Sequence, residues 1–253
     1  MNYRLHIDGD DWERYCWGLF IRDKFPIYES FWLKYVVPVT NRPENVHFKN
    51  DKELQEIDKS PTDIVIAQLS YTMIRHLGRC FEILKILESD FKPSKAKDFF
   101  KRTSFFVEFF SRLIGAQDNA FELFEMKENP GIYINECFDK NSKEKARKNW
   151  QEKNSKILEP IIKPIKRYRN NLIHGILQVS ITGEGKLCFP KIGTEDWYFD
   201  WRIITDHSAE NYRRREDAKK DFISDLEITK EAWSKTINYF KSNFEKIIKE
   251  DIN

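Results

Sequence analysis

Residues 60–89, with the sequence SPTDIVIAQLSYTMIRHLGRCFEILKILES, predict a long amphipathic helix. Ser60 is a capping residue, Pro61 suits the first helical position, and Asp63 places an acid in the first turn. Apolar residues then recur at intervals of three or four, which is the period of a helix with one buried face. They are Ile74, Leu77, Phe81, Leu84 and Leu87. A helix of this kind needs partners that cover its apolar side.

The segments that follow this helix in the chain predict such partners. After a boundary at Pro93-Ser94, a second helix is predicted, which Asn129-Pro130-Gly131 ends. Its core-facing stripe, which can extend to Phe124, begins with Phe99, Thr103, Phe106, Phe110 and Leu113. A charged helical stretch covers 140–158. Pro160 and Pro164 then interrupt or restart a helix that runs towards Leu177. The last 38 residues are predicted to return to helix, with an almost heptad-like stripe. Its apolar positions are Leu226, Trp233, Ile237, Phe240, Phe244 and Ile247.

Between the last two helices the period changes from helical to alternating. Val179 and Ile181, the turn Gly183-Glu184-Gly185, then Leu187 and Phe189 predict a hairpin. A third strand is predicted over 197–203. The predicted fold is therefore mainly α. It is a bundle of four to five long helices with a small antiparallel β insertion near 179–204. Residues 1–59 form an irregular N-terminal elaboration with short helices, and 60–253 form the bundle, as one compact domain overall.

Composition narrows the class of protein. The 43 Lys and Arg nearly balance the 41 Asp and Glu, so overall charge indicates no class of partner. The four cysteines, at 16, 80, 137 and 188, are far apart and predict core residues, not a zinc site. The N-terminus is acidic where a signal peptide is basic and apolar, and no apolar run approaches ~20 residues. We expect a soluble cytoplasmic protein with no membrane span, no metal and no cofactor.

One stretch combines a permanent cation with the side chain that titrates near neutrality: Arg169-Asn170-Asn171-Leu172-Ile173-His174. Histidine can move protons while arginine stabilises charge on phosphate oxygens. The spacing also occurs at Arg42/His47, in a proline-bearing loop, and at Arg202/His207, at the end of a predicted strand. Spacing alone therefore decides nothing. Only the stretch at 169–174 lies within a predicted helix, which is a rigid support for a site.

Residues 140–169 carry 11 Lys and Arg against 3 Glu, a local balance of +8. This predicts a phosphate-bearing ligand, and Trp150 and Tyr168 could stack on its bases if exposed. The alternatives are a solvated helix face for the charges and a buried capping network for the asparagines. At ~100° per residue His174 shares a face with Asn170, whereas Arg169 is about 140° away. A single helix can therefore bring the side chains of Arg169 and His174 to one atom only if the long Arg169 side chain reaches around the helix. The other solution is that a second chain supplies one of the two residues.

These residues resemble a known family. An Arg, a polar residue after it, and a His on a late helix of an all-helical bundle are similar to the R-x4–6-H motif of the HEPN superfamily. The resemblance is close over 169–175 and loose over about 60–250. It implies either a metal-independent endoribonuclease, often a toxin or antiviral defence effector, or a non-catalytic RNA- or protein-binding module. It also implies a homodimer whose motif helices meet at the two-fold axis, and it leaves any antitoxin or defence-system partner unidentified.

Carried over residue by residue, the resemblance implies that His174 is the acid and base, Arg169 stabilises phosphorane-like charge, and Asn170 positions groups. One histidine per chain becomes two in a dimer, which supplies both a base and an acid. One departure concerns regulation. Some family toxins are silenced on a tyrosine two residues after the histidine, and this chain has Ile176 there. The residues expected to bind RNA are Lys148, Lys156, Lys163, Lys166, Arg167 and Asn171.

Overall fold

The computed structural model describes residues 25–33, 61–89, 96–129, 140–173, 180–181, 187–190 and 222–250. These residues are mostly helical, with one small antiparallel sheet, so the predicted mainly-α fold is confirmed. In chain order the helices are α1 (Pro26–Phe31), α2 (Pro61–Glu88), α3 (Ala96–Glu128), α4 (Lys140–Lys153), α5 (Ser155–Ile173) and α6 (Asp225–Glu250). The strands are β1 (Ser180–Ile181), β2 (Leu187–Pro190) and β3 (Phe222–Ser224).

The interruption between helices α4 and α5 lies at a different position from the predicted one, which was at Pro160 and Pro164. The break lies at Asn154, whose backbone N–H and side-chain amide both donate to the Trp150 carbonyl. Pro160 and Pro164 lie inside α5. Each removes one helical donor, so the carbonyls four residues earlier, at Lys156 and Pro160, lose a partner. Both of those residues are exposed, and water can therefore bond to the carbonyls without breaking the helix.

The sheet has the strand order β1-β2-β3. β1 and β2 pair antiparallel with Ser180 opposite Cys188, so the predicted pairing of these two strands is confirmed. The predicted turn at Gly183-Glu184-Gly185 lies outside the described residues. β2 also pairs antiparallel with β3, where Phe189 lies opposite Ile223. The sheet thus includes a strand beyond the predicted insertion at 179–204. The strand predicted over 197–203 lies outside the described residues. β3 has only three residues and runs directly into α6, so it shows almost no alternating pattern.

The chain divides into two compact units. Unit 1 comprises Met1–Phe81, Gly115–Ser155 and Ile237–Asn253, and unit 2 comprises Glu82–Ile114 and Lys156–Thr236. Helices α2, α3 and α6 contribute residues to both. The predicted boundary between 1–59 and 60–253 stays a prediction. The described part of the N-terminal segment nevertheless belongs to the core of unit 1, since Phe25, Tyr28 and Phe31 are fully buried.

Aromatic contacts dominate the core of unit 1. The rings of Phe25, Tyr28 and Phe31 lie 4.8 to 5.6 Å from that of Phe244 in α6, all with edge-to-face geometry. Such pairs contribute about 0.5–1.5 kcal/mol beyond the area they bury. The buried Tyr28 hydroxyl donates to the Ser70 carbonyl at 2.9 Å, and burial raises the pKa of Tyr28 well above its usual value. Helix α1 is therefore attached through both packing and a hydrogen bond.

Unit 2 places the sheet and α5 against α3. Phe189 of β2 stacks on Phe106 of α3 with ring centroids 4.2 Å apart. Arg102 of α3 forms a buried ion pair with Asp225, the first residue of α6, and its Nη2 donates to the Leu87 carbonyl at 3.3 Å. Because removing one partner of a buried pair costs roughly 3–5 kcal/mol, this pair is a strong constraint on the start of α6.

The described cysteines, Cys80 and Cys188, are reduced and buried, as predicted for core residues. Cys16 and Cys137 lie outside the described residues. Among the described helices, none has a segment both long enough and apolar enough to cross a membrane.

Candidate functional site

The predicted motif begins in the last turn of the amphipathic helix α5. Leu158, Ile162, Ile165 and Tyr168 are buried at intervals of three or four residues, which fixes the helix on the core of unit 2. The opposite side of α5 is exposed, at Lys156, Glu159, Lys163, Lys166 and Asn170. The sequence thus places a largely basic face in solvent.

Arg169 is exposed although it lies on the side of α5 that is buried two turns earlier. It follows Ile162 by seven residues, close to two full turns, so the two side chains leave the helix in nearly the same direction. Ile162 is only 8% exposed, whereas Arg169 is an exposed residue. The packing that covers this side of α5 therefore ends before Arg169.

Arg169 and Asn170 are in contact, since Nη1 of Arg169 donates to Oδ1 of Asn170 at 3.2 Å. Asn170 follows Lys163 by seven residues and shares its exposed face. His174 lies outside the described residues, as does the side chain of Asn171. The two other occurrences of the spacing, Arg42/His47 and Arg202/His207, lie outside them too.

The cations predicted to bind RNA differ in how far neighbouring carboxylates already neutralise them. Lys148 bonds to Glu144 at 2.9 Å, and Lys163 forms an ion pair with Glu159. Within the described part of the chain, no carboxylate lies within ion-pair distance of the exposed Lys156 or Lys166. Within the described residues, no ion pair therefore offsets the positive charge of these two lysines. Arg167 is half-buried and makes other contacts.

The six predicted RNA-binding residues do not all lie in one unit. Lys148 belongs to unit 1, whereas Lys156, Lys163, Lys166, Arg167 and Asn171 belong to unit 2 with Arg169. The carboxylates of unit 1 also neutralise further members of the basic run. Arg147 lies 3.4 Å from Asp118, and Lys153 bonds to Glu125 at 2.9 Å. The local excess of positive charge is thus greatest on α5.

Trp150 and Tyr168 are buried, so the condition under which they could stack on bases is not met. Trp150 is 2% exposed, packs against Phe124 and donates from Nε1 to the Tyr239 hydroxyl at 2.9 Å. Tyr168 is 4% exposed and packs against Phe106 and Phe110. Both rings lie on the apolar stripe of their helix, where core packing takes priority over the surrounding charge.

Phe100 of α3 is an exposed aromatic residue outside the predicted apolar stripe, with 76% of its surface accessible. The pattern assigned Phe99 and Phe106 to the core and did not single out their neighbour. Phe100 lies ~100° around the helix from Phe99, and this angle was the available signal.

A strongly perturbed acid lies in unit 1. Burial raises the pKa of Glu122 to about 7, although Arg147 and Lys143 lower it. Within the described residues, no group of three or more His, Cys, Asp or Glu side chains could hold a metal ion.

Comparison of the chain with protein-family models, with characterised proteins and with solved structures finds no match.

Proposed function

We propose that this chain is a HEPN-type endoribonuclease that acts as a homodimer and cleaves RNA without a metal ion. The observation that carries the proposal is the exposed Arg169-Asn170 pair near the end of α5, next to the basic face of the same helix. A role as a toxin or defence effector belongs to the same proposal and follows from the family resemblance alone. A cytoplasmic location, expected from the sequence, belongs to the proposal as well.

The proposed reaction uses the RNA's own 2′-hydroxyl. One His174 takes the proton of this hydroxyl as its oxygen attacks the adjacent phosphorus. The bond from phosphorus to the 5′-oxygen breaks, and the His174 of the second chain donates a proton to the departing oxygen. Arg169 stabilises the charge that grows on the phosphate oxygens, and Asn170 holds Arg169 in place. The products are a 2′,3′-cyclic phosphate and a 5′-hydroxyl end.

The alternative function is a HEPN-like module that binds RNA or protein without turnover. The exposed basic face of α5 supports RNA binding without turnover as well, because binding of RNA requires cations but no proton transfer. An RNA-binding module and the proposed nuclease differ in the turnover of the bound RNA, whereas a protein-binding module would show no cleavage of RNA either.

The deciding experiment incubates the purified protein with labelled RNA in EDTA. We expect cleavage, with 2′,3′-cyclic phosphate ends identified by mass spectrometry. Replacing His174 by Ala removes the group that transfers protons, and such groups contribute ~10²–10⁴-fold to rate. Arg169→Ala should cause a comparable loss. Arg169→Lys should restore it only in part, because lysine lacks the planar fork of the guanidinium.

The matched controls share the Arg-x4-His spacing elsewhere in the chain. Both Arg42→Ala/His47→Ala and Arg202→Ala/His207→Ala should cleave as the wild type does. If activity requires a divalent metal, or if His174→Ala cleaves normally, the proposed mechanism is wrong. RNA binding without any cleavage by the wild type would instead identify the binding module.

A further inference from the structure

Phe100 has the largest exposed fraction among the large hydrophobic side chains that the structure describes. It is 76% exposed, compared with 60% for Ile157 and 41% for Leu33. It lies in the second turn of α3, so the helix holds its backbone in a fixed position. A ring held on a rigid element and left in water can accept a flat partner at little cost in ordering.

The surroundings of Phe100 are cationic. Lys97 and Lys101 are both exposed, and Nζ of Lys101 lies 6.0 Å from the ring centroid of the half-buried Phe105. We call Lys97, Phe100, Lys101 and Phe105 the Phe100 strip. In sequence, 92–101 contains four lysines and one acid, Asp98. The strip therefore favours a ligand that is both aromatic and anionic.

Single-stranded RNA has that chemistry, since every base has a π-face and every phosphate a negative charge. A membrane surface fits less well, because an interfacial helix needs a continuous apolar face. The positions beside Phe100, at Lys97, Lys101 and Ser104, are polar. For the same reason the strip lacks the contiguous apolar patch of a protein-docking surface.

The Phe100 strip lies in the same unit as Arg169. Tyr168, the residue before Arg169, packs against Phe106 and Phe110 of α3 with ring centroids 6.1 and 5.4 Å away. Phe100 precedes Phe106 by six residues, ~9 Å along the helix axis. Two packed helices of unit 2 therefore carry the strip and the motif arginine.

Building on the RNA-cleaving function proposed above, we propose that Phe100 stacks on an unpaired base of the RNA while Lys97 and Lys101 bind the flanking phosphates. The strip then selects single-stranded over duplex RNA, because bases inside a duplex offer no free face.

The test measures the binding of fluorescently labelled RNA by anisotropy, in EDTA and on a His174→Ala background so that the RNA stays intact. Phe100→Ala should weaken binding to a single strand about 5-fold to 150-fold, the range measured for loss of one base–aromatic stack. Phe100→Leu keeps an apolar side chain but has no ring, and should lose a similar factor. Phe100→Trp should bind at least as well as the parent protein.

The matched control is Ile157→Ala, which removes another exposed apolar side chain of unit 2 and should leave binding unchanged. Binding to a duplex of the same length should not respond to Phe100→Ala. The inference is overturned if Phe100→Leu binds single strands as the parent does, or if Phe100→Ala weakens duplex binding equally. It is also overturned if Phe100→Ala abolishes binding to anionic vesicles and leaves RNA binding intact.

The outcomes separate this inference from the proposed function. If the protein binds single strands through Phe100 but never cleaves them, the nuclease proposal fails and the strip stands. If it cleaves RNA but Phe100→Leu binds normally, only the strip fails. If it binds no RNA at all, both fail.

Discussion

Gly115 of α3 allows a close approach of His76 of α2 in unit 1. A Cβ at position 115 would lie 2.8 Å from Nε2 of His76, closer than such atoms approach in practice. Gly115→Ala improves helix propensity by about 1 kcal/mol. Overpacking typically costs ~1–3 kcal/mol, so we expect a net loss in the free energy of unfolding. Chemical denaturation measures it.

The control for this prediction is a double-mutant cycle. In the His76→Ala background the obstructing ring is gone, and Gly115→Ala should then stabilise the protein because only the helix propensity remains. If Gly115→Ala stabilises the protein with His76 in place, the imidazole moves aside freely and the contact imposes no constraint.

Glu122 makes the stability of unit 1 depend on pH. Burial raises its pKa to about 7, with smaller raising effects from Asp118 and Glu144 and lowering effects from Arg147 and Lys143. The carboxyl has a pKa of about 4.5 in the unfolded chain, so between pH 4.5 and pH 7 the folded chain holds the proton more tightly than the unfolded chain does. The free energy of unfolding therefore falls as pH rises through this window. This decrease in the free energy of unfolding is of the order of 1–2 kcal/mol after a discount for partial exposure, and Glu122→Gln should abolish it.

Denaturation at pH 4.5 and at pH 8 tests this prediction. The free energy of unfolding of Glu122→Gln minus that of the wild type should be larger at pH 8 than at pH 4.5. Glu227→Gln, at an exposed position of α6, controls for the loss of one negative charge. A constant difference between Glu122→Gln and the wild type at both pH values would contradict a raised pKa in the folded state.

At the scale of elements, the helices predicted without an error in their interior were those whose core-facing stripe is long. Helices α2, α3 and α6 have 26 to 33 residues, so the apolar period repeats often enough to fix both the type and the buried face. Strand β3 has three residues and was missed. The break at Asn154 was also missed, because proline is the stronger signal in sequence while exposure decides whether a helix tolerates it.

At the candidate site, sequence identified residues but not their surroundings. The charge of 140–169 was evident, yet the ion pairs of Lys148 and Lys163 depend on which carboxylates the fold brings near. Likewise Trp150 and Tyr168 lie within a basic run but on the buried side of their helices. Local charge does not indicate which face of a helix carries an aromatic ring.

The basic face of α5 should dominate the salt dependence of RNA binding. Each phosphate neutralised on a single strand contributes about −0.7 to the slope of log affinity against log salt. Lys156→Ala/Lys166→Ala should therefore weaken binding to all sequences alike and reduce the magnitude of this slope by ~1.4. Anisotropy titrations at several salt concentrations measure both effects.

Lys148→Ala/Lys163→Ala is the matched comparison, because it also removes two lysines of the basic run. Each of these lysines already pairs with a glutamate, so the slope should change less. An equal change for both pairs would mean that RNA displaces the glutamates. No change for either pair would leave the basic run as a solvated face.

At the scale of the whole molecule, the proposed chemistry requires two chains. One chain supplies a single motif histidine, His174, and cleavage needs both a base and an acid. We expect a symmetric homodimer in which the helices over 164–178 face each other. Light scattering should give twice the chain mass of 30.5 kDa. A monomer at the concentration used for cleavage would contradict this assembly.

A heterodimer tests whether the two histidines share one cleft. Co-expression of wild-type and His174→Ala chains under different tags isolates a dimer with one His174. If base and acid come from different chains, this dimer should lose ~10²–10⁴-fold in cleavage rate, as a protein without either histidine does. A heterodimer of wild-type and Arg42→Ala/His47→Ala chains should retain full activity. If the His174→Ala heterodimer instead keeps half of the wild-type rate, each chain carries a complete site of its own.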